Sequence, residues 1–315
     1  MKKRDKQLNK IRRLLRRLGH PRWLHRFGPK TYDLADHVRA LVVKTACQLS
    51  YRRVVFWLRQ LGVWCPSKSA LQAMAQKLPG GLWGRLLALT AGSAALLALD
   101  STGFSRTNPS YHYLRRIDGV WPKVPIKLTA AVGTRRKKVC AARIRVRPAH
   151  EVRDFRILIR TLADGQCFVV DKAGNVNALY RLTAERGALL MSPPKRGVFR
   201  GRWRRQQARR FRLRTYRRRA MIEAVFSSLK RKFGPSVRAK RARTIRTEVY
   251  LRLLCHNLYG WFHRDSGQSP RPGYARLIFS MSWLVECPSS RGMKRIRAPY
   301  ASRAAFSSLS IVSDV

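Results

Sequence analysis

The sequence predicts an α/β protein preceded by an all-helical basic region. Three observations predict it. From about residue 93, short apolar runs that suit strands alternate with runs of helical periodicity. Before that, residues 31–90 read as helical, with apolar side chains recurring every three to four positions. Finally, two strand-like runs, LLALD and CFVVD, each end in an aspartate, where open α/β sheets place their chemistry.

Composition limits the function. The 315 residues carry 68 Lys+Arg against 15 Asp+Glu, a formal net charge of +53, and 45% are hydrophobic. That hydrophobic share excludes a disordered basic tail and supports a core of ordinary size. The charge excess argues against a small-molecule enzyme and for a polyanionic partner, nucleic acid being the commonest. The N-terminal segment has no apolar core of a signal peptide, and the apolar run Leu86–Leu99 is too short to span a bilayer. No membrane association is expected. The six cysteines, at 47, 65, 140, 167, 255 and 287, form no C-x-x-C pair. They read as small core hydrophobes of a reduced, cytoplasmic protein.

Element by element, residues 1–30 hold twelve Lys/Arg and one Asp, with Leu8, Ile11, Leu14, Leu15 and Leu18 at helical spacing. Part of this arm is expected to be an amphipathic helix, its charge either solvated or tracking a phosphate backbone. Leu34, Val38, Leu41, Val42 and Ala46 predict a second helix. Arg52–Leu61 suits a third, ended by Gly62 in a positive φ. Pro66 and Ser67 open a fourth, with Ser67 as N-cap. Two short helices about a Gly-containing turn form a helix-turn-helix candidate, or a purely structural hairpin. Ala94–Leu99 is a strand-like run ending in Asp100. Ile126–Val132 and Val139–Val146 are two further strands, Glu151–Leu162 is a helix, and Cys167–Val170 is a strand ending in Asp171. Asn175–Arg186 is helical, Ala188–Met191 is a short strand, and Thr215–Phe233 is one strong helix. Residues 266–315 lose periodicity and read as a weakly ordered basic tail. The expected organisation is a DNA-binding helical region over 1–92, a catalytic α/β domain over 93–265 and the tail over 266–315.

In so basic a chain, the few acids carry the sharpest signal. Asp100 and Asp171 each either cap a turn or form part of a site. Between Lys195 and Arg246 there are 21 Lys/Arg and one acid, Glu223. On a helix, Tyr216, Arg219, Glu223 and Lys230 lie within about 60° of one stripe. Ile222, Val225, Phe226 and Leu229 form the apolar stripe beside it. Such a helix packs on a sheet while presenting Glu223 at the edge of the contact. Three carboxylates converging there would bind two hard divalent cations. Arg200–Arg214 suits contact with a DNA backbone. Phe104, Trp121 and Trp203 are candidates for base stacking, with packing as the alternative.

The run Tyr216-x-x-Arg219-x-x-x-Glu223-x-x-x-x-x-x-Lys230 resembles the Y-R-E-K signature of prokaryotic insertion-sequence transposases, in the superfamily of insertion-sequence families four and five. Asp100 in LALDSTGF and Asp171 in FVVDKAGN look like that family's two catalytic aspartates, 71 residues apart, with Glu223 as the final acid 52 residues further on. The resemblance covers roughly residues 95–260. It implies a ribonuclease-H-like catalytic domain that cuts and joins double-stranded DNA at transposon ends and target, with two Mg²⁺ ions (Mn²⁺ as substitute). It implies Asp100, Asp171 and Glu223 as catalytic metal ligands, and DNA contacts from Tyr216, Arg219, Lys230 and Lys172. It also implies a homodimer in the synaptic complex, associated with the nucleoid. The 52-residue gap leaves little room for the inserted β-domain of some members. Where many relatives have Asp-Lys-Gly-Tyr-Asp, this chain has Asp171-Lys172-Ala173-Gly174-Asn175, with the glycine displaced by one and the aromatic missing. Two other readings compete: a non-catalytic basic protein that coats nucleic acid, and a two-metal nuclease of the same fold without strand transfer.

Overall fold

The computed structural model describes residues 6–24, 30–107, 115–116, 125–162, 164–195, 197 and 200–264. Trp121 and the tail expected over 266–315 lie outside them. Helix α1 (Lys6–Arg17) turns Ile11, Leu14 and Leu15 inward. Arg12 ties it to the next element, its Nη2 donating to Asp33 Oδ2 at 2.8 Å. Asp33 is also the N-cap of α2 (Leu34–Ala46), in a reciprocal capping box with Asp36. Helices α3 (Tyr51–Gln60) and α4 (Lys68–Lys77) follow the sequence reading closely. Gly62 takes φ +65° after α3, and the Ser67 hydroxyl accepts from the Ala70 amide at 3.2 Å. Val54, Val55, Leu58 and Leu71 close a small core of their own against Ala40 and Val43 of α2. Helix α5 (Gly80–Ala91) then leads to the sheet.

The sheet begins with β1 (Leu96–Arg106), β2 (Ile126–Gly133) and β3 (Lys138–Arg145). Helix α6 (Glu151–Thr161) crosses to β4 (Cys167–Val169), and α7 (Asn177–Glu185) crosses to β5 (Leu189–Met191). The strand order is β3-β2-β1-β4-β5. The first three strands are antiparallel, and β4 and β5 run parallel to β1. Past the sheet come α8 (Arg202–Ala208), α9 (Leu213–Tyr216), a 3-10 turn at Arg217–Arg219 and α10 (Ala220–Phe233). The two-residue β6 (Ser236–Val237) pairs with the far end of β1, and α11 (Ala242–Arg264) closes the described chain.

Strand alternation divides the core into two layers. Leu97 and Leu99 of β1 pack with Phe155 and Leu158 of α6 and with Leu179 and Tyr180 of α7. Ala98 and Phe104 face the other way, toward Ile222, Val225 and Leu229 of α10 and toward α11. Helices α1, α2 and α5 share this second layer, so the N-terminal helices rest on the sheet. Asn257, fully buried on α11, accepts from the Val139 amide at 2.9 Å and donates to the Val139 carbonyl at 2.8 Å. It gives the outer edge of β3 the two hydrogen bonds a further strand would supply.

Four points depart from the sequence reading. Asp100 does not end its strand: β1 runs on to Arg106, because residues 101–104 keep antiparallel pairing with β2. The helix expected over Thr215–Phe233 is broken by the 3-10 turn. No residue of α9 or of that turn is buried, so tertiary packing, the main source of helix stability, starts only at Ile222. The stripe argument therefore holds from Arg219 onward and not for Tyr216. Helix α11 was not anticipated, although Ile245, Val249 and Leu253 recur at steps of four and are buried. Lastly, Phe104 is 1% exposed and belongs to the core, which removes it as a stacking platform; Trp203 packs partly buried against the first layer.

Candidate active site

The parallel register brings the two aspartates together. It pairs Leu96 with Cys167, Leu97 with Phe168 and Ala98 with Val169. Asp100 and Asp171 each follow two residues beyond the last pair, so they stand in matching positions on neighbouring chains. Since Asp100 shares the parity of Ala98, it lies on the layer covered by α10. Helix α10 brings Glu223 in its first turn.

One guanidinium joins two of the three acids. Arg219 Nη1 donates to Asp100 Oδ2 at 2.6 Å, and its Nη2 donates to Glu223 Oε1. The Asp100 side chain is 18% exposed and that of Glu223 is 56% exposed, so the pair spans from the sheet to solvent. Burial is the largest influence on Asp100 and pushes its carboxyl above the usual aspartate range. The charges of Asp171 and Glu151 push the same way, while the Ser101 amide and Arg219 oppose them. Asp171 is thus within electrostatic reach of Asp100. Glu151, which the sequence reading passed over, is as well, and it pairs with Lys127 at 3.1 Å.

Both aspartates are held by their surroundings. The Ser101 amide donates to Asp100 Oδ1 at 2.8 Å. The Ser101 hydroxyl lies 2.9 Å from Thr129 Oγ1, and Thr129 donates to the fully buried Asp154 at 3.1 Å. Thr129's only proton is committed to that carboxylate, so Ser101 is the donor between the two hydroxyls. Asp154 also accepts from Arg145 Nε at 2.7 Å, completing a polar chain beneath the site. Asp171 caps a 3-10 turn at Lys172–Gly174, its Oδ1 accepting from the Gly174 amide at 3.2 Å. This explains the displaced glycine. A Cβ at position 174 would stand 2.5 Å from Val170 Cγ2 and 2.9 Å from Val170 Cβ, too close for the turn to persist. Gly174→Ala is expected to cost about 1–3 kcal/mol, as overpacking does, and to shift Asp171. A lowered denaturant midpoint together with a larger loss of cleavage than of DNA binding is the result to look for.

An open cavity of about 530 Å³ borders the acids, lined by Asp100, Ser101, Thr102, Glu223, Phe226, Ser227, Lys230, Arg231 and Pro235. Of the proposed DNA-contacting residues, Lys230 lines it. Arg219 lies between the two acids, Tyr216 stacks at 5.6 Å on Phe211, and Lys172 is exposed on the turn beside Asp171. Ser101, Thr102, Ser227 and Arg231 border the cavity without having been singled out. Ser101 and Thr102 directly follow Asp100, a signal that could have pointed to them.

Among the described residues, no group of three or more His, Cys, Asp or Glu is gathered tightly enough to hold a metal ion. Asp100 and Glu223 are instead drawn onto Arg219. The donor chemistry still fits a hard divalent cation: carboxylate and hydroxyl oxygens around a cavity open to water, with two of the carboxylates already sharing one positive group.

A mixed sheet of this order, with helices on both faces, is the ribonuclease-H-like fold. The sequence matches the family model described as Transposase DDE domain over residues 92–258, more than half of the chain, and the protein belongs to that family of DDE transposases. Enzymes of this family use divalent metal ions. Among solved structures, the chain is similar to one from a cryo-EM structure of a piggyBac transposase synaptic complex with hairpin DNA. The identity is 12%, coverage is 91% of this chain and 81% of that one, and the TM-score is 0.42. No curated protein matches the sequence. Among the described residues, no helix is long and apolar enough to cross a membrane.

Proposed function

We propose that Asp100, Asp171 and Glu223 are the catalytic acids of this transposase, and that they hold two Mg²⁺ ions, for which Mn²⁺ substitutes. The observation that carries this reading is the junction of Asp100 and Glu223 on one guanidinium, beside a cavity and within reach of Asp171's charge. These acids lie 123 residues apart in sequence, and an enzyme has little structural reason to bring them to one open edge. Divalent ions at such a position activate the attacking oxygen and stabilise the leaving one.

The chain's own groups do the rest. Lys230 and Arg231 on the cavity wall hold the phosphodiester by charge-assisted contacts. Arg219, Tyr216 and Lys172 contact the backbone on either side. Ser101 and Thr129 hold the Asp100 strand fixed relative to the buried Asp154. The protein binds the ends of an insertion sequence, of the family four and five superfamily, cleaves there and transfers the strand to target DNA. Residues 1–92 serve DNA binding and 93–265 the chemistry. The working form is a homodimer on DNA in the prokaryotic cytoplasm, at the nucleoid.

The test is cleavage of a labelled duplex carrying the element's own flanking ends, with and without Mg²⁺, by wild type and by Glu223→Ala. Mg²⁺-dependent nicking at the element boundary, lost in the variant, is the expected result. Tight binding with no cleavage by wild type would instead favour a nucleic-acid-coating protein.

A further inference from the structure

We propose that the groove between the start of α11 and the chain beyond β1 is a second binding site, for the phosphodiester backbone of duplex DNA, separate from the carboxylate site. It is a cavity of about 700 Å³ lined by Gln76, Arg115, Arg116, Arg241, Ala242, Arg243 and Thr244. It shares no residue with the cavity beside Asp100.

Four guanidiniums from two stretches more than 120 residues apart in sequence meet here. The fold holds them together. Val237 of β6 pairs with Arg106 at the end of β1, the Thr107 amide donates to the Val237 carbonyl at 3.3 Å, and Lys240 Nζ donates to the Thr107 carbonyl at 3.1 Å. These contacts fix residues 237–240 beside Thr107. Arg115, Arg116, Arg241 and Arg243 are all exposed, and none forms an ion pair with a described acid. Glu248, the nearest acid along α11, is already engaged. It accepts from the Arg238 and Ala239 amides at 3.2 and 2.8 Å and from Arg252 at 2.7 Å.

Four like charges in a concave wall repel one another, and a bound polyanion relieves that repulsion. The opening amides of a 23-residue helix add positive potential on the same side. Among the described residues, the lining has no aromatic ring and no acid. Exposed guanidiniums hold phosphate oxygens by charge-assisted contacts, which suits the uniform backbone of a duplex. Gln76 contributes a neutral amide and belongs to α4, the second helix of the helix-turn-helix candidate. The groove therefore borders the region expected to bind DNA.

The experiment uses the full chain, a labelled duplex of unrelated sequence and no divalent metal, with anisotropy followed across salt concentration. Each phosphate contact contributes about 0.9 to the slope of log K against log salt. The double variant Arg241→Ala/Arg243→Ala is expected to bind more weakly, with a slope shallower by about 1.8. Its melting should match wild type, since both side chains are exposed and form no ion pair with a described residue. Arg156→Ala/Arg160→Ala, on the exposed face of α6, removes the same charge elsewhere and should change the slope far less. Equal slope changes in the two double variants, or none in the first, would overturn the proposal. So would displacement of the duplex by millimolar inorganic phosphate beyond the effect of matched chloride, seen in wild type and not in the Arg241/Arg243 variant: the groove would then be a small-anion site. Because no metal is present, the outcome is independent of whether the Asp100 site cleaves DNA.

Discussion

Asp100→Asn is expected to lower Mg²⁺-dependent cleavage about a thousandfold or more while leaving DNA binding intact. The reasoning starts from what the substitution preserves. Asparagine keeps the shape and one oxygen, which can still accept from the Ser101 amide, while the position that accepts from Arg219 becomes an NH2 donor. It removes the charge and one acceptor. In the wild type that charge is unfavourable to the fold, because burial raises the carboxyl's pKa. An acid whose folded pKa is raised costs stability wherever it is ionised, and the cost is relieved as pH falls toward the folded pKa. The neutral isostere avoids this cost but loses the Arg219 contact, so the two effects offset and the variant should melt close to the wild-type temperature near pH 7. Activity behaves differently. Losing a carboxylate that holds the ions forfeits several kcal/mol of transition-state charge stabilisation, and about 4 kcal/mol is a thousandfold. DNA affinity without metal should be equal or slightly tighter, since a negative charge beside the backbone has gone. The raised pKa has a second consequence: in the metal-free wild type, protons should begin to compete with Mg²⁺ for Asp100 at a higher pH than for an ordinary aspartate, so metal binding should weaken there on acidification. An Asp100→Asn enzyme retaining a tenth of wild-type cleavage would remove Asp100 from the site.

The difference between what could and could not be read from the sequence is physical. Asp100 and Asp171 were recognisable because short contiguous apolar runs of the buried-strand type led into them, a local pattern. That Asp100 lies within a longer strand was not recognisable, since STGFSR is polar and its pairing with β2 is a tertiary matter. Glu223 stood out as a lone acid among 21 cations. Its helix was extended too far toward the N-terminus because periodicity says nothing about whether a face will be buried, and Arg217 and Arg218 meet no core. Glu151 went unnoticed since its only sequence mark is the start of a helix. Its influence on Asp100 arises from the placement of α6 over the sheet. The arginine groove was equally hidden, because Arg115 and Arg241 line one cavity although they are far apart in sequence. The displaced glycine looked like a defect in the family's pattern, yet Val170 leaves room for no side chain at position 174.

Arg219→Ala should tighten Mn²⁺ binding about tenfold and still lower cleavage about a hundredfold. In the structure Arg219 spends both arms of its guanidinium on Asp100 and Glu223. It must release at least one before those oxygens serve an ion. A positive charge about 4 Å away opposes a divalent ion by roughly 2–8 kcal/mol in a medium between water and protein surface. Arg219 is 23% exposed, so screening and the freedom of its side chain to swing away bring the net value to the bottom of that range or below, and about 1.4 kcal/mol, or tenfold, is the part expected to remain. Without metal the variant leaves two acids uncompensated and should lose stability. Mn²⁺ should therefore raise its melting temperature by more than it raises that of wild type, by mass action. Cleavage falls for a different reason: in the proposed role, the released guanidinium holds the DNA backbone by a bidentate contact, and alanine cannot replace it. Arg219→Lys separates the two roles. Lysine keeps the charge that competes with the ion but has no planar fork to span two carboxylates or two phosphate oxygens. It should show near-wild-type Mn²⁺ affinity with cleavage as poor as that of alanine. Titration of Mn²⁺ by calorimetry in the absence of DNA reads the first effect directly, and weaker Mn²⁺ binding by Arg219→Ala than by wild type would show that the guanidinium organises the acids for the ion and does not compete with it.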